Sequence, residues 1–284
     1  VKHLPMPLDA GDRVILAQCR KPGWAARQAQ WLAAAATYRR FRGNPWRVVP
    51  VGFTGADADE LYDLYDLRAG NGPIARIRRP PVPFKSCPMC GSLGGRSLDH
   101  ALPRKRFPEF AILRENLVPA CTMCNSDEKG GTYRGRRPER FIHPYYDRWA
   151  ARALWRIQFD PDLDVLQFKP VALPTLPRVR RQIVDFHVKT LLGKEWRDSV
   201  RREWGPLPAS LHRRLGAAPT EPTMRAELEI RLKDAIETYG VNSWDAGFLR
   251  GVLADSLVIA KLVERVRALP VRTVKKRQLS GVGG

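Results

Sequence analysis

The chain of 284 residues and 32.2 kDa is long enough to bury a proper core in one large domain or two of ordinary size. With 44% hydrophobic and 27% charged residues, its composition excludes a globally disordered or fibrous protein. Lys and Arg outnumber Asp and Glu by 49 to 29, a formal net charge of +20, so a polyanion is the expected partner and nucleic acid the first candidate. The most apolar stretch, 251–263, carries Asp255 and Lys261 and falls short of the ~20 apolar residues that span a bilayer. Residues 1–16 show no basic start, apolar run and cleavage site of a secretory signal. A cytoplasmic protein with no membrane contact is the expectation.

In chain order, an alanine-rich helical pattern runs over 24–41 and stops before Gly43, Asn44 and Pro45. A second helix is expected after Asp57, where Leu61, Leu64 and Tyr65 recur at helical spacing and Asp57, Asp59 and Glu60 sit at the positive N-terminal end. The proline-rich run 79–83 reads as an extended linker. From Phe84 to Trp149 the chain is rich in Cys, Gly, Pro and Arg, and a small unit of this kind needs a staple. Residues 153–159 and 163–171 read as a strand pair around Pro161 and Asp162. Helical spacing then dominates: Val179, Ile183, Phe186 and Leu191, next Leu228, Leu232 and Ile236, then 248–266. The expected class is α+β, with an N-terminal mixed segment and linker (1–82), a cysteine-stapled unit (83–150), a hairpin connector (151–172), a helical C-terminal domain (173–270) and a loose basic tail (271–284).

Four of the five cysteines form two CxxC pairs, Cys87 with Cys90 and Cys121 with Cys124, thirty residues apart, while Cys19 stands alone. Two such knuckles offer four thiolates to one tetrahedral Zn²⁺. The alternative, redox cysteines, lacks the βαβ context such motifs need. Within and just after the interval stand Asp99, His100, Asn116, Asn125 and Lys129. A carboxylate and an amide carbonyl are hard ligands suited to Mg²⁺ or Mn²⁺, and an imidazole that is neutral at cellular pH can take a proton from water. On a strand, Asp99 and His100 would point to opposite faces, so a shared site requires the strand to end or bend there.

The joint order of Cys87-Pro88-Met89-Cys90, Leu98-Asp99-His100, Asn116-Leu117-Val118-Pro119-Ala120-Cys121, Cys124-Asn125 and Lys129-Gly130 resembles the HNH endonucleases of the ββα-metal class, in the subtype braced by a four-cysteine zinc. The resemblance covers about residues 84–129. It implies that Asp99 and Asn125 bind the catalytic divalent ion, that His100 activates water, and that Asn116 holds the loop orienting His100. The last motif residue is Asn where many members have His, which resembles Mg²⁺-preferring variants. The same resemblance implies weakly sequence-specific cleavage of DNA, and long flanking segments of this sort resemble nuclease subunits of anti-phage or restriction systems that act with an ATPase partner.

Two basic clusters suit backbone contacts to nucleic acid: Arg104, Lys105 and Arg106 beside His100, and Lys129, Arg134, Arg136, Arg137 and Arg140 after the second knuckle. His143, in a Pro-Tyr-Tyr turn, reads as a packed turn residue, with support to the site or a DNA contact as the alternatives. The rival reading is a non-catalytic zinc module that binds nucleic acid or a protein partner; it accounts for the charge but not for Asp99, His100 and Asn125 together.

Overall fold

A computed structural model describes residues 1–67, 72–74, 85–93, 97–163 and 165–270, the side chains of Ser126 and Asp127 excepted. The expected linker and basic tail lie outside the described residues. Helices α1 (Arg13–Cys19), α2 (Gln28–Arg40) and α3 (Ala56–Asp63) come first. In α2, Trp31, Ala34, Ala35 and Tyr38 recur at i, i+3, i+4 and i+7 and are all buried, so one stripe of the helix faces the core. Helix α2 is closed by Gly43, whose N–H bonds the Tyr38 carbonyl at φ +63°, and a Cβ there would strike the Tyr38 ring. Arg27 pairs with Asp57 and Glu60 and so ties the start of α2 to α3.

Strands β1 (Ser97–His100) and β2 (Leu117–Ala120) form an antiparallel pair with Asp99 opposite Val118 and His100 opposite Leu117. A short helix of wide π-type turns follows at Met123–Glu128. The alternation of the pair divides its residues between two hydrophobic cores. Leu98 and Leu117 pack with Trp31, Tyr38, Leu61 and Phe110 on the N-terminal side. Val118 and Ala120 pack with the four cysteines, Phe141 and the C-terminal helices.

Strands β3 (Trp155–Phe159) and β4 (Phe168–Ala172) form a second antiparallel pair, with β4 starting five residues later than the sequence pattern suggests. Helices α4 (Arg178–Leu191), α5 (Lys194–Trp204), α6 (Leu207–Leu215), α7 (Glu221–Tyr239), α8 (Trp244–Leu253) and α9 (Ser256–Arg267) complete the chain. Helix α8 rides directly on β3, because a Cβ at Gly247 would meet the Trp155 ring at 2.4 Å and one at Gly251 the Ile157 carbonyl at 2.5 Å. The single helical run expected over 248–266 is two helices. Asp255 breaks it, its carboxylate accepting from the N–H groups of Leu257 and Val258 as the N-cap of α9. The architecture is mixed α+β, and among the described residues no helix is long and apolar enough to cross a membrane.

His187 of α4 is fully buried, donating from Nε2 to the Met89 carbonyl (2.7 Å) and accepting the Ile142 N–H at Nδ1 (3.1 Å). Both ring nitrogens are committed to the neutral form, and burial pushes the imidazole down to about 3. Below pH ~6.5 the unfolded chain binds a proton that the folded chain refuses, so this contribution is complete above that pH and is lost on acidification. It should amount to about 1.4 kcal/mol per pH unit between ~6.5 and ~3. Urea unfolding at pH 7 and pH 5 should therefore show a smaller loss of stability on acidification in His187→Gln than in the wild type.

Candidate active site and metal centre

The two knuckles close on each other. The sulfurs of Cys87, Cys90, Cys121 and Cys124 are all buried and lie within 4.8 Å of one another, with Cys90 and Cys121 Sγ 3.7 Å apart. A tetrahedral zinc with Zn–S bonds of ~2.3 Å separates its sulfurs by about 3.8 Å, so the donor set and its spacing fit Zn²⁺. Backbone N–H groups already point at the sulfurs: Cys121 to Cys87 Sγ, Cys124 to Cys121 Sγ, and Ser92 to Cys90 Sγ. Donors so placed favour thiolates, and the neighbouring Cys124 side chain brings the Cys121 thiol down to about 7. The remaining cysteine, Cys19, is buried in the N-terminal core.

The first knuckle is also where distant parts of the chain attach. The Pro88 carbonyl accepts from the Lys2 N–H, the Met89 carbonyl from His187, and the Cys90 carbonyl from the Trp244 indole. Beyond it, Ser86 donates to the Tyr239 carbonyl. Purified protein should carry one zinc ion per chain by elemental analysis, and Cys121→Ser should lower both zinc content and melting temperature, because metal binding and folding are linked.

β1 ends at His100, and the chain bends at Ala101 and Leu102. The imidazole is 8% exposed; its Nε2 donates to the Ala111 carbonyl at 2.9 Å, which leaves Nδ1 as the unprotonated nitrogen. Burial, the largest influence, pushes the ring down to about 3, so it is neutral at physiological pH. Tyr65, just beyond α3, packs edge-on against it with ring centroids 4.5 Å apart and donates to the Leu98 carbonyl.

The loop between β1 and β2 is pinned by Asn116, which is completely buried. Its Nδ2 donates to the Leu102 and Phe110 carbonyls, and its Oδ1 accepts from the Leu102 N–H and the Tyr38 hydroxyl. All four hydrogen-bonding positions of the amide are thus filled. The carbonyl that holds His100 belongs to the residue following Phe110, so the Asn116 clamp also fixes the imidazole. His143 continues the chain of bonds: its Nδ1 accepts from the Tyr145 N–H and its Nε2 meets the Tyr38 hydroxyl at 3.0 Å. His143 is therefore a packed turn residue that braces Tyr38. Asn116→Ala would strand buried partners at Leu102, Phe110 and Tyr38, and denaturant unfolding should show a loss of about 3 kcal/mol or more.

Asp99 lies on the opposite face of β1, as strand alternation requires. Its carboxylate is 7% exposed and pairs with Lys129, whose Nζ is 3.0 Å from Oδ1 and 2.7 Å from Oδ2. Only the Oδ1 contact has hydrogen-bonding geometry, and Oδ2 has no hydrogen-bond donor among the described residues. Burial pushes the Asp99 carboxyl above its usual range against the opposing pull of Lys129. Asn125, half-buried on the π-turned helix, donates its Nδ2 to the Leu98 carbonyl at 3.3 Å. Asn125 and Tyr65 thus meet at one carbonyl of β1. The carboxylate and the amide oxygen are chemically suited to a hard divalent ion, but the positive charge beside Asp99 in this structure is Lys129.

The basic clusters divide. Lys105, Arg106, Arg136 and Arg137 are exposed, with Arg106 over the Tyr133 ring and Arg137 over Trp46. Arg104 is drawn down onto Tyr62 and Tyr65 and pairs with Asp66. Arg134 lies between Trp46 and Tyr133 and donates to the Pro45 carbonyl. Two expected phosphate contacts are corrected. Lys129 is 3% exposed and bound to Asp99, and Arg140 holds Asp147 through both terminal nitrogens. Their charges are neutralised within the fold, so neither is available as a surface cation. Tyr65 enters the sequence pattern only as a helical apolar position and Tyr38 not at all; a hydroxyl on the buried stripe of α2 is the available signal for Tyr38, since a buried Tyr needs a polar partner.

No family model matches the chain, and no solved structure matches it. Among curated proteins it is similar to Protein ea31 of Escherichia phage lambda, with 36% identity over 109 residues. That stretch is 37% of this chain and 36% of the phage protein, so the likeness covers little over a third of either.

Proposed function

We propose that the protein is a metal-dependent HNH endonuclease that hydrolyses DNA phosphodiester bonds, with β1, β2 and the Met123–Glu128 helix as its ββα finger. The observation that carries this reading is the setting of His100: a neutral imidazole at the end of β1, tethered through Nε2 to a loop that Asn116 clamps at four points. A structural histidine satisfies both nitrogens, as His187 does. His100 has no hydrogen-bond partner for Nδ1 among the described residues.

In the proposed reaction His100 Nδ1 takes the proton of the attacking water as its oxygen bonds to phosphorus and the bond to the 3′ oxygen breaks; that oxygen takes a proton from solvent, leaving a 5′ phosphate and a 3′ hydroxyl. The Ala111 carbonyl keeps the proton on Nε2 and so leaves Nδ1 as the accepting nitrogen. Asp99 and Asn125 are the residues that would hold a Mg²⁺ or Mn²⁺ ion, which when bound would supply charge stabilisation at the phosphate. Lys105, Arg106, Arg136 and Arg137 are exposed cations suited to backbone phosphates, consistent with weak sequence preference.

Incubation of the zinc-loaded protein with supercoiled plasmid and Mg²⁺ or Mn²⁺ should yield nicked or linear DNA, with His100→Ala slower by about 100-fold or more. Absence of cleavage by the wild type under these conditions, or full cleavage by His100→Ala, overturns the proposal.

A further inference from the structure

We infer that Lys129 is a tethered counter-cation of the candidate site, and that a divalent ion binds Asp99 only when the lysine ammonium withdraws. This rests on the reading of Asp99 as a metal ligand given above. The side chain of Lys129 is 2% exposed and that of Asp99 7%, so the pair is shut away from water. Nζ contacts three oxygens, the two of the Asp99 carboxylate and the carbonyl of His100. Phe141 flanks the ammonium at 5.8 Å from its ring centre. The lysine thus engages both carboxylate oxygens that Asp99 could offer to a hard ion.

Two requirements explain the arrangement. A buried carboxylate must have a partner, and without one the finger would hold an uncompensated charge next to its thiolate cluster. Yet an ammonium and a divalent ion repel each other, and both cannot occupy one carboxylate in a site of low dielectric. Lys129 therefore maintains the folded site in the absence of the ion and competes with the ion for Asp99.

The local chain is suited to releasing it. Lys129 is followed by Gly130 at φ +50° and by Gly131; both are exposed, and an added Cβ at either would meet nothing within 4 Å. No packed side chain in the two following residues resists a turn of the lysine toward solvent.

The test uses the intact, zinc-loaded chain with Mn²⁺ as the probe. Binding is followed by the loss of the free-ion electron paramagnetic resonance signal, and Lys129 exposure by acetylation with an amine-reactive ester read by mass spectrometry. Asp99→Asn locates the binding by abolishing it. In the wild type, Mn²⁺ at saturation should raise acetylation of Lys129 several-fold while leaving exposed Lys105 unchanged. Lys129→Met, checked for zinc content and circular dichroism, should bind Mn²⁺ about tenfold more tightly, because the competing cation is gone. Lys129→Arg should stay weak.

Saturating, Asp99-dependent Mn²⁺ binding with unchanged Lys129 acetylation overturns the inference, whatever the variants do, and leaves the nuclease proposal standing. If the wild type does not bind but Lys129→Met does, the inference is supported. If neither binds, Asp99 is no metal ligand and both proposals fall.

Discussion

The approach of Cys87 and Cys90 to Cys121 and Cys124 is the constraint on which the rest of the structure depends. It brings together two knuckles with thirty residues between them and so fixes the ends of a loop that contains β1, the His100 turn, Asn116 and β2. No long helix or broad sheet within this segment could do so. The strands have four residues each and the following helix six, too little regular structure to hold a register alone. The first knuckle also carries carbonyls that receive hydrogen bonds from the N-terminus, α4 and α8. The sulfur cluster is thus a local staple and the point at which remote elements attach.

Around that staple the polar groups separate into two systems on either side of β1. On one face, Asn116, Tyr38, His143 and the Ala111 carbonyl form a fully hydrogen-bonded lattice of neutral groups that keeps the imidazole in one tautomer. On the other, Asp99 and Lys129 form an ion pair with little access to water. A neutral lattice loses little electrostatic energy on burial once its bonds are made, whereas a buried ion pair depends on its geometry. The rigid half therefore surrounds the proposed base, and the half that responds to charge surrounds the proposed metal ligand.

Much of this was legible in the sequence because it rests on local signals. Periodicity located α2, α3, α4 and α7, and the CxxC spacing predicted the sulfur cluster; the expected break in the strand between Asp99 and His100 is absent, since β1 carries both residues in register and places them on opposite faces. Failures came where a local pattern was overridden or diluted. Helix α5 buries Trp196, Val200 and Trp204 at four-residue spacing, a stripe present in the sequence but missing from the helices expected there, and α8 and α9 merge into one apolar run unless Asp255 is recognised as a cap. The basic residues show a sharper limit. A run of arginines and lysines gives net charge but not which members meet an internal acid, and the acids that take Lys129 and Arg140, Asp99 and Asp147, are thirty and seven positions away in the chain. Tyr65 lies thirty-five residues before the ring it covers, and only the folded chain shows that contact.

The division of the β1–β2 pair between two hydrophobic cores bears on the modularity of the finger. An excised finger would have to present Leu98, Leu102, Phe107, Phe110 and Leu117 to water on one side, and Val118 and Ala120 on the other. Such a piece would be greasy on both flanks and prone to self-association. Grafting this unit into another scaffold would therefore require carrying both of its neighbours, or redesigning two surfaces at once.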